Sequence, residues 1–253
     1  MIKGIIAIIL LGFFGFHLVY ADQILTTYRD DGNQTIFDGK WTFLQEWKRT
    51  SYNTSYGDTF VVRTGHDHKN LYVLIDFTAQ QKFSKHSDFG IVCIDSKDDK
   101  DDQPQKDDYC FIVTLGSRNP ITLQGGSSLE INNHYTRIEN NPNLVAVGGT
   151  SDENDRYSPI PHTTYEFKIP VEIFGASDRY GFFAGAYVAN ENKMYSWPQD
   201  IKDDTIFHIP SDSSWGEMIS PDKSLPEFPW PALALVSSVG LIIYLTRFRA
   251  NLF

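Results

Sequence analysis

A chain of 253 residues with 32 acidic against 22 basic side chains carries a formal charge of −10 at pH 7, and such a field repels polyanions and excludes nucleic acid as a partner. With two apolar ends set aside, about 200 residues remain, enough for one domain with a real core. The sequence contains no Gly-x-Ser-x-Gly elbow, no His-Glu-x-x-His and no phosphate loop, so the hydrolase and nucleotide-binding classes built on those motifs find no support.

At the amino end Lys3 precedes an apolar run from Gly4 to Phe16, with Val19 and Ala21 at the small-residue positions of a cleavage site. Residues 1–21 therefore read as a signal peptide and the mature chain as beginning at Asp22. Two sequons, at Asn33 and Asn53, fit an exported chain glycosylated at surface positions. Residues 42–49 could form a short helix. From residue 59 onward, short runs rich in β-branched and aromatic residues alternate with Gly, Pro, Asn and Asp clusters: 59–63, 71–77, 89–95, 109–115, 144–148, 164–169 and 181–190. Strands at that spacing, without a long segment of 3.6-residue period, predict a two-sheet antiparallel β-sandwich, jelly-roll-like, over residues 22–210. In the run from Thr164 to Ile169, Tyr165, Phe167 and Ile169 share one face and Glu166 and Lys168 the other, the pattern of a half-buried strand. Leu71 to Ile75 has little polar content on either side and should be covered on both faces.

The pair Cys93 and Cys110 should be bridged in an oxidising compartment, which stabilises a loop of this length by roughly 3 kcal/mol in the chain-entropy model. Across neighbouring antiparallel strands the two cysteines would be directly opposite. Counting outward on the same face then sets Asp95 opposite Asp108, with Asp98, Asp99, Asp101, Asp102 and Asp107 on the same hairpin. Facing carboxylates repel, and a cluster of oxygen ligands suits calcium. The expected ligands are Asp95, Asp98, Asp99 and Asp108; the alternative is a solvated acidic loop. The spacing is not that of an EF-hand.

The dyad of His66 and His68 lacks a third ligand cluster, and His134, His162 and His208 are isolated and read as surface or satisfied polar residues. For a non-covalent haem, Met194 is the better axial candidate and Met218 the other; without a Cys-x-x-Cys-His motif covalent haem is excluded. Toward the end of the domain Tyr187, Tyr195, Trp197 and Trp215 accompany Asn190, Asn192 and Gln199, a supply of flat aromatic faces and amides suited to sugar. Tyr195 and Trp197 are two apart and would share a strand face; Trp47 and Trp215 read as core. A glycosidase needs carboxylates across a cleft, whereas these concentrate on one hairpin.

Residues 211–229, rich in Ser, Pro and acidic groups, read as a linker. An apolar run from Trp230 to Leu245 followed by Arg247 and Arg249 reads as a membrane stop with its basic end inside, so residues 230–253 form an anchor and the domain lies on the extracellular face of the membrane. Pro226 to Pro229, the apolar run and the basic end resemble the archaeal PEF-CTERM sorting signal, which implies a sortase-type processing enzyme and transfer to a lipid.

Phe37-Asp-Gly39 with Glu46-Trp47, then Lys69-Asn-Leu-Tyr-Val73, an acidic loop between two strands, Tyr165-Glu-Phe-Lys-Ile-Pro170 and Trp215-Gly216 together resemble the family 9 carbohydrate-binding modules of the DOMON-like superfamily, over residues 24–220. The resemblance implies a sandwich that binds a ligand and does no chemistry on it, with structural calcium in the sugar binders and b-type haem in other branches. The expected function is thus a non-catalytic surface module for a glycan or cell-envelope polymer, with Tyr195, Trp197, Tyr187, Asn190 and Gln199 as ligand-binding residues. The alternatives are a haem electron-transfer domain and a structural envelope protein without a small ligand.

Overall fold

The computed structural model describes residues 22–30, 34–129, 133–199, 201 and 209–220. The signal peptide, the Asn33 sequon, His208 and the tail from residue 221 lie outside the described residues. Within them no helix is long and apolar enough to cross a membrane.

The chain forms strands β1 (Gln23–Leu25), β2 (Thr27–Tyr28), β3 (Asn53–Ser55), β4 (Phe60–His66), β5 (Asn70–Phe77), β6 (Phe89–Asp95) and β7 (Asp108–Thr114). There follow β8 (Ile121–Gln124), β9 (Thr136–Ile138), β10 (Val145–Thr150), β11 (Thr163–Pro170), β12 (Arg179–Val188), β13 (Lys193–Trp197) and β14 (Gly216–Ile219). An eight-stranded sheet runs β1-β14-β12-β6-β7-β8-β9, with β13 also on β12; a six-stranded sheet runs β10-β11-β5-β4-β2, with β3 also on β4. The two sheets form the sandwich. They are mixed rather than purely antiparallel, because β1 pairs with β14 and β2 with β4 in parallel. The cause is local: residues 23–28 cross from the edge of one sheet to the edge of the other.

Alternation fills the space between the sheets. Val73, Ile75 and Phe77 of β5 and Tyr165, Phe167 and Ile169 of β11 meet Val92, Ile94, Phe111, Phe182 and Ala184 of the larger sheet in one cluster. Each large side chain so buried contributes about 1.5–3 kcal/mol. Gly90 sits where a Cβ would lie 2.3 Å from Cγ of Tyr165, so only glycine lets the sheets approach there.

The far side of β11 is not half-exposed as the alternation suggests. Glu166 is fully buried because segment 34–50 covers this face, setting Trp41 and Trp47 against Tyr72 and Leu74. Gly39, at φ +87°, lies so close to Gly149 that a Cβ would come within 2.6 Å of its Cα. There it donates its N–H to Glu166 Oε2 at 2.7 Å, and Trp47 Nε1 donates to Oε1 at 3.1 Å. Burial pushes the Glu166 carboxyl up to about 8. Residues 44–49 are turns, not helix; Glu46 shapes them by accepting N–H groups of Ile36 and Thr42, each at 2.7 Å.

A second correction concerns the end of the domain. Residues 211–220, read as the start of a linker, belong to the sandwich: a 3-10 turn at Asp212–Ser214 leads into β14, which lies between β1 and β12.

Candidate functional site

The acidic hairpin is organised from its strands outward. Cys93 and Cys110 are directly opposite and joined, with Cα atoms 4.1 Å apart. Two residues on, Asp95 faces Asp108, and both are fully buried. Asp95 Oδ1 accepts the N–H groups of Lys97 at 2.9 Å and Asp98 at 2.8 Å, closing the first turn of the loop. Asp108 Oδ2 accepts from Gln105 N at 2.6 Å, while its Oδ1 is buried without a partner. The third carboxylate is Asp212, 1 % exposed, whose Oδ1 accepts from Ser213 N at 3.0 Å and whose Oδ2 is buried without a partner. One oxygen from each of the three lies within 4.8 Å of the others. The Tyr135 hydroxyl, buried and without a partner, feels all three charges.

Desolvation, then the neighbouring carboxylates, push Asp108 up to about 8 and Asp212 up to about 7. Burying carboxyl groups with oxygens unpaired is costly unless a cation meets them. An all-oxygen set of this kind fits calcium. Of the expected ligands, Asp95 and Asp108 are brought together here, and Asp95 forms a more exposed second group with Asp99 and Asp107. Asp98 belongs to neither group; it faces Lys100, 3.8 Å away, which pairs with Glu217 at 3.2 Å. Sequence reasoning missed Asp212 because it lay in the stretch read as linker. The Trp215-Gly216 pair just after it was the available signal, since a motif closing the domain puts its neighbour inside the fold. Ser211 secures the approach by donating to the carbonyls of Asp101 and Asp102.

At the other end of the larger sheet the expected sugar-binding residues divide between its two faces. Tyr195 and Trp197 do share a face of β13, but it is the one turned to the other sheet. Trp197, 5 % exposed, packs with Phe182 in the core. Tyr195 rests on Phe77 at 4.6 Å and Tyr56 at 5.2 Å, and donates its hydroxyl to Glu191. Gln199 is exposed and accepts the Tyr56 N–H at 2.7 Å.

Tyr187 points the opposite way, stacked on Phe89 of the adjacent strand with centroids 5.0 Å apart and 25° between planes, its hydroxyl donating to Asn192 at 2.7 Å. Asn190 is exposed at the tip of the same hairpin. Asp88 fixes this corner: it accepts from Ala189 N at 2.9 Å, Ser84 N at 2.7 Å and Gln80 Nε2 at 2.8 Å, tying loop 80–88 to the hairpin turn. Phe89 was overlooked because its run was read only as core strand; its position at the first residue of that run was the signal.

The remaining candidates are accounted for differently. His66 is buried beside Ser220, while Asp67 is occupied by the turn, accepting from Lys69, Asn70 and Tyr72. Met218 is in the core, and Met194 packs over Gly185. Asn53 is half-buried on β3, at the edge of the smaller sheet. His162, expected at the surface or in an ordinary polar setting, is fully buried.

No protein-family model matches the chain, and the search of curated proteins finds no match. Among solved structures, a family 9 carbohydrate-binding module from Caldicellulosiruptor kristjanssonii in complex with glucose superposes with a TM-score of 0.50 at 15 % identity, over 82 % of this chain and 100 % of that one. The module from the same organism in complex with cellotriose gives 0.49 at 15 % identity over the same shares. The glucose-complex likeness bears on the fold, which it places with that β-sandwich.

Proposed function

We propose that this chain is a non-catalytic carbohydrate-binding module whose sugar-binding face is the outer side of the larger sheet at Phe89 and Tyr187. The observation that carries the reading is that stacked pair: two adjacent aromatic rings on a sheet face, with the amide of Asn192 on the Tyr187 hydroxyl, Asn190 exposed in the adjoining hairpin turn and the corner braced by Asp88. Aromatic faces supply apolar contact to a sugar ring and amides read its hydroxyls, without a group that must gain or lose a proton. The glucose-bound module of the same fold lends the ligand class by analogy. The hairpin cluster of Asp95, Asp108 and Asp212 supports a non-catalytic role for this face, because it is buried at the opposite end of the sheet rather than ranged across a cleft.

The test is a glycan array followed by titration calorimetry with glucose and cello-oligosaccharides. Binding should be abolished by Tyr187→Ala and by Phe89→Ala, with the melting transition kept cooperative. An array without hits, or binding that survives both substitutions, overturns the reading. Display on the outer membrane face, through the apolar tail and its sorting motif, is part of the same proposal and rests on the sequence. The intact mass of surface protein should lack the residues beyond Pro229 and include a lipid.

A further inference from the structure

On the outer face of the smaller sheet lies a cluster that the sugar-binding reading does not use. Asp76 of β5 and His162, just before β11, are both fully buried, and loop 151–160 folds over them. That loop brings Asp155, whose side chain is 1 % exposed. A carboxylate oxygen of Asp76, one of Asp155 and a ring nitrogen of His162 all lie within 4.8 Å of one another.

The hydrogen bonds around the cluster settle the imidazole but not the carboxylates. His162 Nδ1 is 2.8 Å from the Ile160 carbonyl, which can only accept, and 2.9 Å from Ser151 Oγ, which can accept as well, so Nδ1 carries a proton. In the neutral ring Nε2 is then a lone pair, aimed at Asp76 Oδ1 at 2.7 Å and Asp155 Oδ1 at 3.6 Å. Burial opposes the imidazolium, but the Asp76 carboxylate beside it raises the His162 pKa overall; the contact is nonetheless too bent for a hydrogen bond, and His162 Nε2 and both oxygens of Asp76 are buried without a well-aligned partner. Asp155 Oδ2 and Thr164 Oγ1 are in the same condition, Thr164 being directly opposite Asp76 across the sheet. Arg63 favours the Asp76 charge from a distance, but its Nε and Nη1 donors go to Tyr157 Oη, to the carbonyls of Trp47 and Thr50 and to Thr50 Oγ1 rather than to the cluster. Asp155 Oδ1 is held by the N–H groups of Tyr157 and Ser158, which leaves its other oxygen directed away from the loop backbone.

We infer that Asp76, Asp155 and His162 form a buried site for a divalent transition metal of the zinc class. One imidazole nitrogen with two carboxylates is a donor set for zinc or manganese, whereas calcium takes oxygen only. A tetrahedral ion with bonds of about 2.0–2.1 Å spaces its ligands roughly 3.4 Å apart, between the 2.7 Å and 3.6 Å that now separate His162 Nε2 from the Asp76 and Asp155 oxygens. The Nδ1 contact with Ile160 supplies the outer hydrogen bond that orients a metal-bound imidazole. The site would pin loop 151–160 to the sheet and is independent of both the acidic hairpin and the sugar face.

The experiment uses the exported protein, stripped with chelator and dialysed against zinc chloride. One equivalent of zinc should remain, its X-ray absorption edge should show a single imidazole with oxygen ligands, and His162→Gln or Asp155→Asn should weaken binding at least tenfold. Asp95→Asn with Asp108→Asn should leave zinc binding unchanged, and calcium should not displace it. If zinc-exposed wild-type protein retains no stoichiometric metal, or if nitrogen-15 NMR finds Nε2 of its His162 still protonated, the cluster is a buried imidazolium pair and the inference fails. Zinc retained at full occupancy in His162→Gln also overturns it.

Discussion

At the scale of single residues, the two tryptophan and tyrosine positions that look alike in sequence do opposite work. Trp197 is enclosed between Phe182 and the opposite sheet, so Trp197→Ala leaves a cavity and should cost about 3–5 kcal/mol. Tyr187 is half-buried on the outer face, where it stacks on Phe89 and donates its hydroxyl to Asn192, so Tyr187→Ala should cost only about 1–2 kcal/mol. Urea melts of the two variants check this, and equal costs would show that Tyr187 is packed as tightly as Trp197. Alternation placed Tyr195 and Trp197 on one face, but periodicity does not say which face meets the other sheet. Glu166 shows the same limit. Its partner Gly39 is 127 residues away in the chain, in a segment with no regular periodicity to announce that it folds over β11.

At the scale of elements, the hairpin register was legible because two cysteines fix it: pairing Cys93 with Cys110 leaves no freedom in setting Asp95 against Asp108. What could not be read was the third wall, Asp212, brought in by a turn from the other end of the domain. The electrostatics of that assembly give a pH dependence with a definite sign. In the unfolded chain Asp108 and Asp212 lose their protons near 3.8, whereas in the folded chain they hold them up to about 8 and about 7. Across that window the unfolded state binds fewer protons, so cation-free stability falls as pH rises from about 4 to 8. Calcium competes with those protons, and its stabilisation should be small at pH 5 and large at pH 8. At a hundredfold excess over Kd it amounts to about 2.7 kcal/mol. Melting curves in chelator and in calcium at both pH values test this. Asp212→Asn and Asp108→Asn should each blunt the response, and identical curves at pH 8 would falsify the site.

At the scale of the whole molecule, the strands were legible and the closure was not. Runs of Val, Ile, Phe and Tyr between Gly, Asn and Asp clusters mark central strands well, because those strands are covered on both faces. The edges are short and polar, and β1, β2 and β14 join elements distant in sequence. The Ser- and Pro-rich stretch after residue 210 has the composition of a linker, yet it carries the strand that connects β1 to the rest of the larger sheet. Trp215 and Met218, 2 % and 1 % exposed, are buried by that stretch, each contributing about 1.5–3 kcal/mol. Without β14, strand β1 has no neighbour in its sheet, and β12 loses the backbone pairing from Arg179 to Phe182. The combined loss approaches the 5–15 kcal/mol that holds an ordinary domain together. A fragment of residues 22–220 should therefore melt cooperatively and respond to calcium, while a fragment of residues 22–210 should be unfolded or aggregated and lack the response. Circular dichroism and thermal melts of the two distinguish them, and a cooperative transition in the shorter fragment would show that β14 is an accessory edge rather than a part of the fold.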